Sequence, residues 1–265
     1  MFTGLVVGVL LLLISVFMIF QTTCKVWGAE KPANATQQGI DVSSHQGKID
    51  WEQVKNSALA DYAIIRCGYG VNQTDKDDKY WDYNSSECER LGIPYGTYLY
   101  SGADTTAKAK SEAEHVVRLL QGKNLTYPIY YDMEADMLNQ LSSTQIGNIA
   151  KTFLNTMESY GYKNVAVYSN KYLFETKLTA SVFSDYPKWI AQHSNKCTYQ
   201  GSYHMWQYST QGVIPGISEK VDLNYKIGNW TYAGYSSAKK TVVVKPKATT
   251  IKSLRKSGKK AVKIT

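Results

Sequence analysis

Eight short segments, each apolar or alternating in polarity and long enough for one strand, recur between residues 39 and 224. Helical patterns follow the first five of them. Strands that alternate with helices favour a mostly parallel sheet, in which the helices are crossover connections. The predicted strands are residues 39–42, 62–67, 95–100, 128–134, 164–169, 188–192, 204–209 and 221–224.

The helical segments end after the fifth strand, and connections rich in Gly, Ser and Pro join the last three strands. This order predicts an α/β fold, an irregular TIM-type barrel with five βα units followed by three strands. Barrels of this type carry their chemistry at the carboxyl ends of the strands. The predicted helices are residues 51–59, 80–91, 105–120, 144–160 and 171–177.

The net charge of +8 is distributed unevenly along the chain. Residues 30–238 contain 19 Lys and Arg against 22 Asp and Glu, whereas residues 239–265 contain ten basic residues and no acidic ones. An acidic body argues against a nucleic-acid-binding surface, so no nucleic acid is expected as a partner. The basic tail is expected to meet an anionic surface or to lead into a further module.

The N-terminal segment is strongly apolar. Residues 4–20 are 17 uncharged residues rich in Leu, Val, Ile and Phe. This length is typical of a long export signal or a short membrane span, so residues 1–29 are interpreted as a signal peptide or a membrane anchor. We therefore expect a protein that is secreted or associated with the cell wall or cell surface, with membrane contact only through residues 4–20 if they are not cleaved.

Cysteine and histidine spacing offers no metal-binding motif. Cys67, Cys88 and Cys197 allow at most one disulfide, and the chain contains no CxxC or HExxH motif. A glycine pair at residues 68 and 70 lacks the further spacing of a dinucleotide site. The sequence therefore predicts neither a metal site nor a cofactor.

Acidic residues occur where such a barrel would carry chemistry. The alternation of the fourth strand places Asp132 and Glu134 on one face, with Cα atoms roughly 6.5 Å apart. Two carboxylates this close raise each other's pKa and can both reach one glycosidic bond. Asp41 ends the first strand and Asp222 holds a similar position in the last, and these strands are neighbours in a closed barrel. Four carboxylates at one mouth would destabilise the fold, which favours chemistry over the alternative of a solvated strand end.

Seven motifs occur in order along about residues 38–230. They are GIDVSSHQG with IDW (39–47 and 49–51), IIRCGYG (64–70), GIPYG with Tyr98 (92–96), DME (132–134), WIA (189–191), WQY (206–208), and PGI with VDLN (215–217 and 221–224). Together they resemble glycoside hydrolase family 25, the bacterial and phage lysozymes that cleave peptidoglycan.

The resemblance implies a muramidase that hydrolyses the β-1,4 bond between N-acetylmuramic acid and N-acetylglucosamine. It also implies that Glu134 is the acid/base, Asp132 the charge stabiliser, and Asp41 and Asp222 accessory acids. Asp132 could form a glycosyl-enzyme bond or steady the acetamido group of the substrate. The spacing leaves both open, and the resemblance favours the second.

Several aromatic residues near predicted strand ends are candidate substrate contacts, because sugar rings stack on aromatic planes. Core packing is the alternative for each of them. Arg66 is expected to pair with Asp41 or another acid at the mouth, or to bind substrate. The aromatic candidates are Tyr69, Tyr100, Trp189 and Trp206.

Two other functions stay open. One is a chitinase-like glycosidase, although Tyr130 stands where that family's Asp-rich strand motif would place another acid. The other is a catalytically silent wall-binding protein that kept the barrel.

The expected domain division is a linker at 30–37, a catalytic barrel at 38–231, a linker at 232–247 and a basic tail at 248–265. The tail is interpreted as the start of a truncated fibronectin type III-like module or as an arm that binds anionic wall polymers.

Overall fold

The computed structural model describes residues 29–231 and 235–236. Eight of its strands form a closed barrel, and two short strands form a separate pair. The strands are β1 (Ala35–Val42), β2 (Tyr62–Tyr69), β3 (Tyr95–Tyr100), β4 (Asn124–Leu125), β5 (Ile129–Asp132), β6 (Val165–Asn170), β7 (Lys188–Ala191), β8 (Met205–Gly212), β9 (Val221–Ile227) and β10 (Tyr235–Ser236). The α-helices are α1 (Trp51–Ser57), α2 (Trp81–Leu91), α3 (Thr106–Leu119), α4 (Ser143–Ser159), α5 (Lys171–Thr176) and α6 (Val182–Asp185).

The barrel follows the order β1-β2-β3-β5-β6-β7-β8-β9. Neighbours from β1 to β8 are parallel, while β9 runs antiparallel to both β8 and β1 and closes the barrel. Helices follow the first five barrel strands, and none lies between the last three. The predicted fold class is therefore confirmed.

Two apolar layers follow from the alternation of each strand. Outward side chains such as Ile129 and Tyr131 join the large core under the helices, whereas Tyr130 of the same strand points into the barrel. The interior is filled with rings, and the Trp189 indole centroid lies 4.9 Å from the Tyr130 ring and 4.4 Å from the Tyr168 ring. The barrel therefore has an aromatic floor and contains no pore.

The starts of these helices are marked in the sequence by N-cap residues. The side chain of Asp50 accepts a hydrogen bond from the amide of Gln53 at the start of α1. Ser142 and Gln145 form a reciprocal capping box at the start of α4. These caps explain why the predicted helices agree with the observed ones to within one or two residues.

Several elements differ from the sequence-based expectation, among them the two-residue strand β4, which was not predicted. Strand β1 begins at Ala35, inside the expected 30–37 linker, because its polar first half pairs with β9. Helix α6 was not predicted. Strand β10 lies within the expected 232–247 linker and pairs with β4. Two-residue strands are defined by their partner across the fold and carry no periodicity of their own.

The expectations for residues 1–28, including the apolar segment 4–20, and for the basic tail from 239 onward lie outside the described residues. Among the helices that are described, none has the length and apolar character needed to cross a membrane. Cys67, Cys88 and Cys197 are free thiols.

Candidate active site

The carboxyl end of β5 carries the two acids of the DME motif. Asp132 is the last residue of the strand and is 3% exposed, while Glu134 lies two residues beyond it and is half-buried. The Asp132 Oδ1 atom is buried and has no hydrogen-bond partner within the described part of the chain. Buried carboxylate oxygens are rarely left in this state, so this atom has an unused capacity to accept a hydrogen bond.

Asp41 and Asp222 face each other in the register of β1 and β9. Asp222 was expected at the same rim as Asp41, because the first and last strands are neighbours in a closed barrel. It is the second residue of β9. Because β9 runs antiparallel to β1, the beginning of β9 lies at the same rim as the end of β1. The predicted convergence of Asp41 and Asp222 is therefore found, and it depends on the antiparallel direction of β9, which the sequence patterns did not specify.

Side-chain amides hold this acid pair. Gln207 Nε2 donates to both Asp41 oxygens, at 3.2 and 3.0 Å, and lies 3.3 Å from Asp222 Oδ2. Asn224 Nδ2 donates to Asp41 Oδ2 at 2.7 Å. Trp189 Nε1 in turn donates to Asn224 Oδ1 at 2.8 Å. The Asp41 carboxylate is thus fixed by donors that are themselves fixed by the barrel interior.

The other end of the Gln207 amide accepts hydrogen bonds. Its Oε1 lies 3.0 Å from the Tyr168 hydroxyl and 2.9 Å from His193 Nε2. An amide oxygen can only accept, so His193 carries a proton on Nε2. None of Gln207, Asn224 and His193 was predicted from the sequence as a site residue. Gln207 and Asn224 lie in the WQY and VDLN motifs. The alternation of these strands, which directs both side chains into the barrel, is the signal that could have identified them.

Burial and like charges change the acidities at this rim. Burial raises the pKa of Glu134, the negative charge of Asp41 raises it further, and His193 opposes both. Repulsion between neighbouring carboxylates predicts the same direction for the pKa of Glu134, but desolvation is the larger cause. Burial also raises the pKa of Asp132 well above its usual range, followed by repulsion from Glu134 and Asp41, with Arg66 opposing.

Asp41 and Asp222 share a proton unequally. Burial, the charge of Asp41 and the hydrogen bond to it raise the pKa of Asp222 to about 8. Burial raises the pKa of Asp41 as well, but the amides of Asn224 and Gln207 oppose that rise. Donors therefore converge on Asp41, which favours the ionised form of Asp41 and the protonated form of Asp222.

Asp222→Asn is expected to flatten the pH dependence of stability. The folded protein binds the Asp222 proton more tightly than the unfolded chain does. The protonated side chain therefore stabilises the fold at low pH, and this stabilisation is lost as pH rises from 3.8 toward about 8. The variant has no carboxyl group at this position and does not lose stability in this way. The free energy of unfolding of D222N, relative to that of the wild type, should therefore increase as pH rises across this range. Urea unfolding at several pH values measures the difference. Exposed Asp75→Asn is the control, and a constant difference between D222N and wild type would contradict the assignment.

Two tyrosines from the candidate list lie at the same rim. Tyr69 pairs with Tyr100 across β2 and β3, and Tyr100 pairs with Asp132 across β3 and β5. Tyr69 is 39% exposed. Burial raises the pKa of Tyr100, followed by the charges of Asp132 and Glu134. The Tyr100 ring therefore lies beside the acids, and the exposed Tyr69 ring next to it carries the Lys76 ammonium 4.8 Å from its centroid.

The two tryptophan candidates are placed differently. Trp189 lies inside the barrel, is 1% exposed, and reaches the acids through Asn224. Trp206 faces the outer core, is fully buried, and donates from Nε1 to the Gln192 carbonyl at 2.8 Å. Since its neighbour Gln207 points inward, Trp206 must point outward. The structure therefore does not bring Trp206 to the rim as a substrate contact.

Arg66 has a different partner from the acids considered in the sequence analysis. Its Nε donates to Asp78 Oδ2 at 2.8 Å, and Nη2 donates to Ser44 Oγ at 2.9 Å. Asp78 is buried, and Asp77 beside it pairs with Arg118. The ion pairs of Asp77 and Asp78 therefore tie the segment 75–78 to α3 and to the barrel. Arg66 acts on Asp132 through its charge.

Comparison with known proteins agrees with this geometry. The family described as glycosyl hydrolases family 25 matches residues 40–217. The autolytic lysozyme of Clostridium acetobutylicum is 30% identical over 188 residues, which cover 71% of this chain and 55% of that protein.

Solved structures show the same relationship. The autolysin LytC of Streptococcus pneumoniae has a TM-score of 0.65 and 33% identity, over 71% of this chain and 46% of that one. A family 25 glycosyl hydrolase from Bacillus anthracis has a TM-score of 0.66 and 20% identity over 77% and 95%, which shows a shared fold. This chain thus spans about half the length of the lysozyme and LytC chains that it matches. On the family match and the barrel together, the chain belongs to glycosyl hydrolases family 25.

Proposed function

We propose that the protein is a peptidoglycan hydrolase, a muramidase that cleaves the β-1,4 bond between N-acetylmuramic acid and N-acetylglucosamine. The observation that carries the proposal is the cluster of Asp41, Asp132, Glu134 and Asp222 at one rim of a family 25 barrel. A cluster of buried acids lowers the stability of the fold, and a catalytic role in glycosidic bond cleavage explains its presence.

Glu134 is the proposed general acid. Its pKa is raised by burial and by the charge of Asp41, which favours retention of the proton that a general acid transfers to the departing glycosidic oxygen. Partial exposure at the rim leaves it within reach of a substrate. After the bond breaks, the Glu134 carboxylate takes a proton from the attacking water and is restored.

Asp132 is the proposed stabiliser of a substrate-derived intermediate. Its buried Oδ1 lacks a donor, and the N–H of the 2-acetamido group would supply one. Held in this way, the acetamido oxygen attacks the anomeric carbon while the glycosidic bond breaks and Glu134 protonates the leaving oxygen. Water then opens the ring that has formed.

Asp41 and Asp222 are the proposed accessory acids. Asp41, fixed by Gln207 and Asn224, contributes a negative charge that helps keep the Glu134 proton in place. Tyr69 and Tyr100 are the proposed sugar-stacking residues, because they flank Asp132 and remain accessible. LytC of S. pneumoniae, a similar structure, has been solved with a synthetic peptidoglycan ligand.

The proposed place of action is outside the cytoplasm, at the cell wall. The proposal rests on residues 4–20, which have the composition of an export signal or anchor. The ten basic residues of 239–265 would bind anionic wall polymers, and such an interaction should weaken as salt concentration rises.

Analysis of the reducing ends released from purified walls tests the proposed activity. We expect wall turbidity to fall and muramic acid to be the new reducing end. A glucosamine reducing end would contradict the bond assignment, and cleavage of chitin in place of walls would favour the chitinase-like alternative. Wall binding by the folded protein without any hydrolysis would identify a silent binding protein.

A further inference from the structure

His193 is an exposed histidine at the rim that carries the acid cluster. It lies two residues beyond β7, whose carboxyl end belongs to this rim. Among the described residues, its ring has one hydrogen-bond partner, Gln207, whose Oε1 lies 2.9 Å from His193 Nε2. Burial raises the pKa of Asp41 and that of Glu134, and His193 is among the groups that oppose both shifts. The ring is therefore close to these acids without a hydrogen bond to either of them.

Gln207 connects this ring to the acids. The side chain is buried, and the two ends of its amide face different groups. Its Nε2 group donates to both Asp41 oxygens and lies 3.3 Å from Asp222 Oδ2. Its Oε1 atom lies against His193 and the Tyr168 hydroxyl. An amide turned over by 180° would exchange these ends, and Asp41 would lose two of the three hydrogen bonds that it accepts from side-chain amides.

The acids alone do not determine which way this amide faces. Burial and the charge of Asp41 raise the pKa of Asp222 to about 8, and a protonated carboxyl group can donate to an amide oxygen. The Tyr168 hydroxyl can likewise donate or accept. His193 is different, because its Nε2 donates in the charged ring and in one of the two neutral tautomers. The orientation of the Gln207 amide therefore depends on the proton at His193 Nε2.

We propose that His193 is a positioning residue of the acid cluster, whose Nε2–H holds the Gln207 amide with its NH₂ group on Asp41. The inference rests on the proposed hydrolysis, in which the charge of Asp41 helps to keep the proton on Glu134. An amide that turns freely would stabilise the ionised form of Asp41 less and so weaken that charge. His193 thus acts on the reaction through Gln207 and not through contact with the substrate.

Three variants of the full chain separate the hydrogen bond of His193 from its charge. His193→Ala removes the donor, whereas His193→Gln keeps an N–H donor and cannot become charged. We expect kcat on solubilised peptidoglycan to fall about fivefold in H193A, the usual worth of one neutral hydrogen bond, with KM unchanged. H193Q should recover most of this loss. Asn195→Ala, at an exposed position of the same loop, is the matched control and should keep wild-type kcat.

NMR tests the same inference without an activity assay. We expect the ¹⁵N spectrum of the wild type to place the proton of neutral His193 on Nε2. The ¹³C titration midpoint of the Asp41 carboxyl group should be higher in H193A than in the wild type, and close to the wild-type value in H193Q. Because these measurements do not depend on turnover, a protein that fails to hydrolyse walls would refute the proposed function and leave this inference to be decided by the spectra.

Three results would overturn the proposal. They are a neutral His193 with its proton on Nδ1, an Asp41 midpoint in H193A equal to that of the wild type, and an H193Q protein that behaves like H193A. The third result would mean that the charge of His193 matters and its hydrogen bond does not. Thermal melting shows whether each variant is folded, and the ¹⁵N measurement on the wild type holds whatever the variants do.

Discussion

Glu134→Gln is expected to lower the rate of peptidoglycan hydrolysis by roughly 10²–10⁴-fold, the usual contribution of a general acid. The amide has nearly the shape of the carboxyl group but cannot transfer its proton to the leaving oxygen. Stability should be maintained or increased, because the variant removes an acid whose pKa is raised by burial and by Asp41. Wall turbidity measures the rate, and thermal melting measures stability.

The control for this variant is Glu219→Gln, an exposed acid in the loop before β9. It makes the same chemical change near the rim without touching the acid cluster, and it should keep wild-type activity. A folded E134Q protein that hydrolyses walls at the wild-type rate would contradict the role of Glu134.

Asp132→Asn is expected to reduce hydrolysis by about 10²–10³-fold, the scale seen when an electrostatic partner of the transition state is removed. The variant keeps an oxygen acceptor but loses the negative charge that stabilises the positively charged ring intermediate. Its stability should change in the opposite sense to its activity. Burial raises the pKa of Asp132, so the wild-type residue loses stabilising free energy as pH rises, whereas the amide does not.

Activity assays and urea unfolding across pH measure both effects of this substitution. D132N should match wild type in stability at acidic pH and exceed it at alkaline pH. Exposed Asp136→Asn, four residues along the same loop, is the control and should change neither property. Full activity in D132N, or lower stability than wild type at every pH, would contradict the proposed environment of Asp132.

Local patterns predicted most of the fold. The strand at 95–100 was predicted with its observed bounds, because its alternation and flanking turns are strong local signals. The alternation of 128–134 correctly placed Tyr130 and Asp132 inside the barrel. Strand direction was not available from these patterns. The position of Asp222 at the rim was predicted because the first and last strands are neighbours in a closed barrel, and not from the direction of β9.

The candidate site was predicted less completely than the fold. Trp206 and Gln207 are adjacent and point to opposite faces of β8. A prediction that is wrong by one residue therefore selects a core residue in place of a residue at the rim. The bond between Gln207 and Asp41 joins residues far apart in sequence, and a single sequence carries no signal for such a contact. The pairing of Arg66 with Asp78 depends on how the loop after β2 folds back, which polar composition does not specify.

Desolvation was missed for a related reason. The sequence shows how many acids can meet but not how far the rings of the barrel floor and the surrounding strands exclude water from them. Charge repulsion was therefore predicted, while burial, the larger cause of the raised pKa values, required the packed structure.

The pKa of the Glu134 carboxyl group, titrated by ¹³C NMR in the wild type and in Asp41→Asn, tests most directly whether this rim is built to retain a proton. We predict a wild-type midpoint above the ordinary value of 4.5 and a lower midpoint in D41N, where one repelling charge is gone. A wild-type midpoint at or below 4.5 would contradict the account.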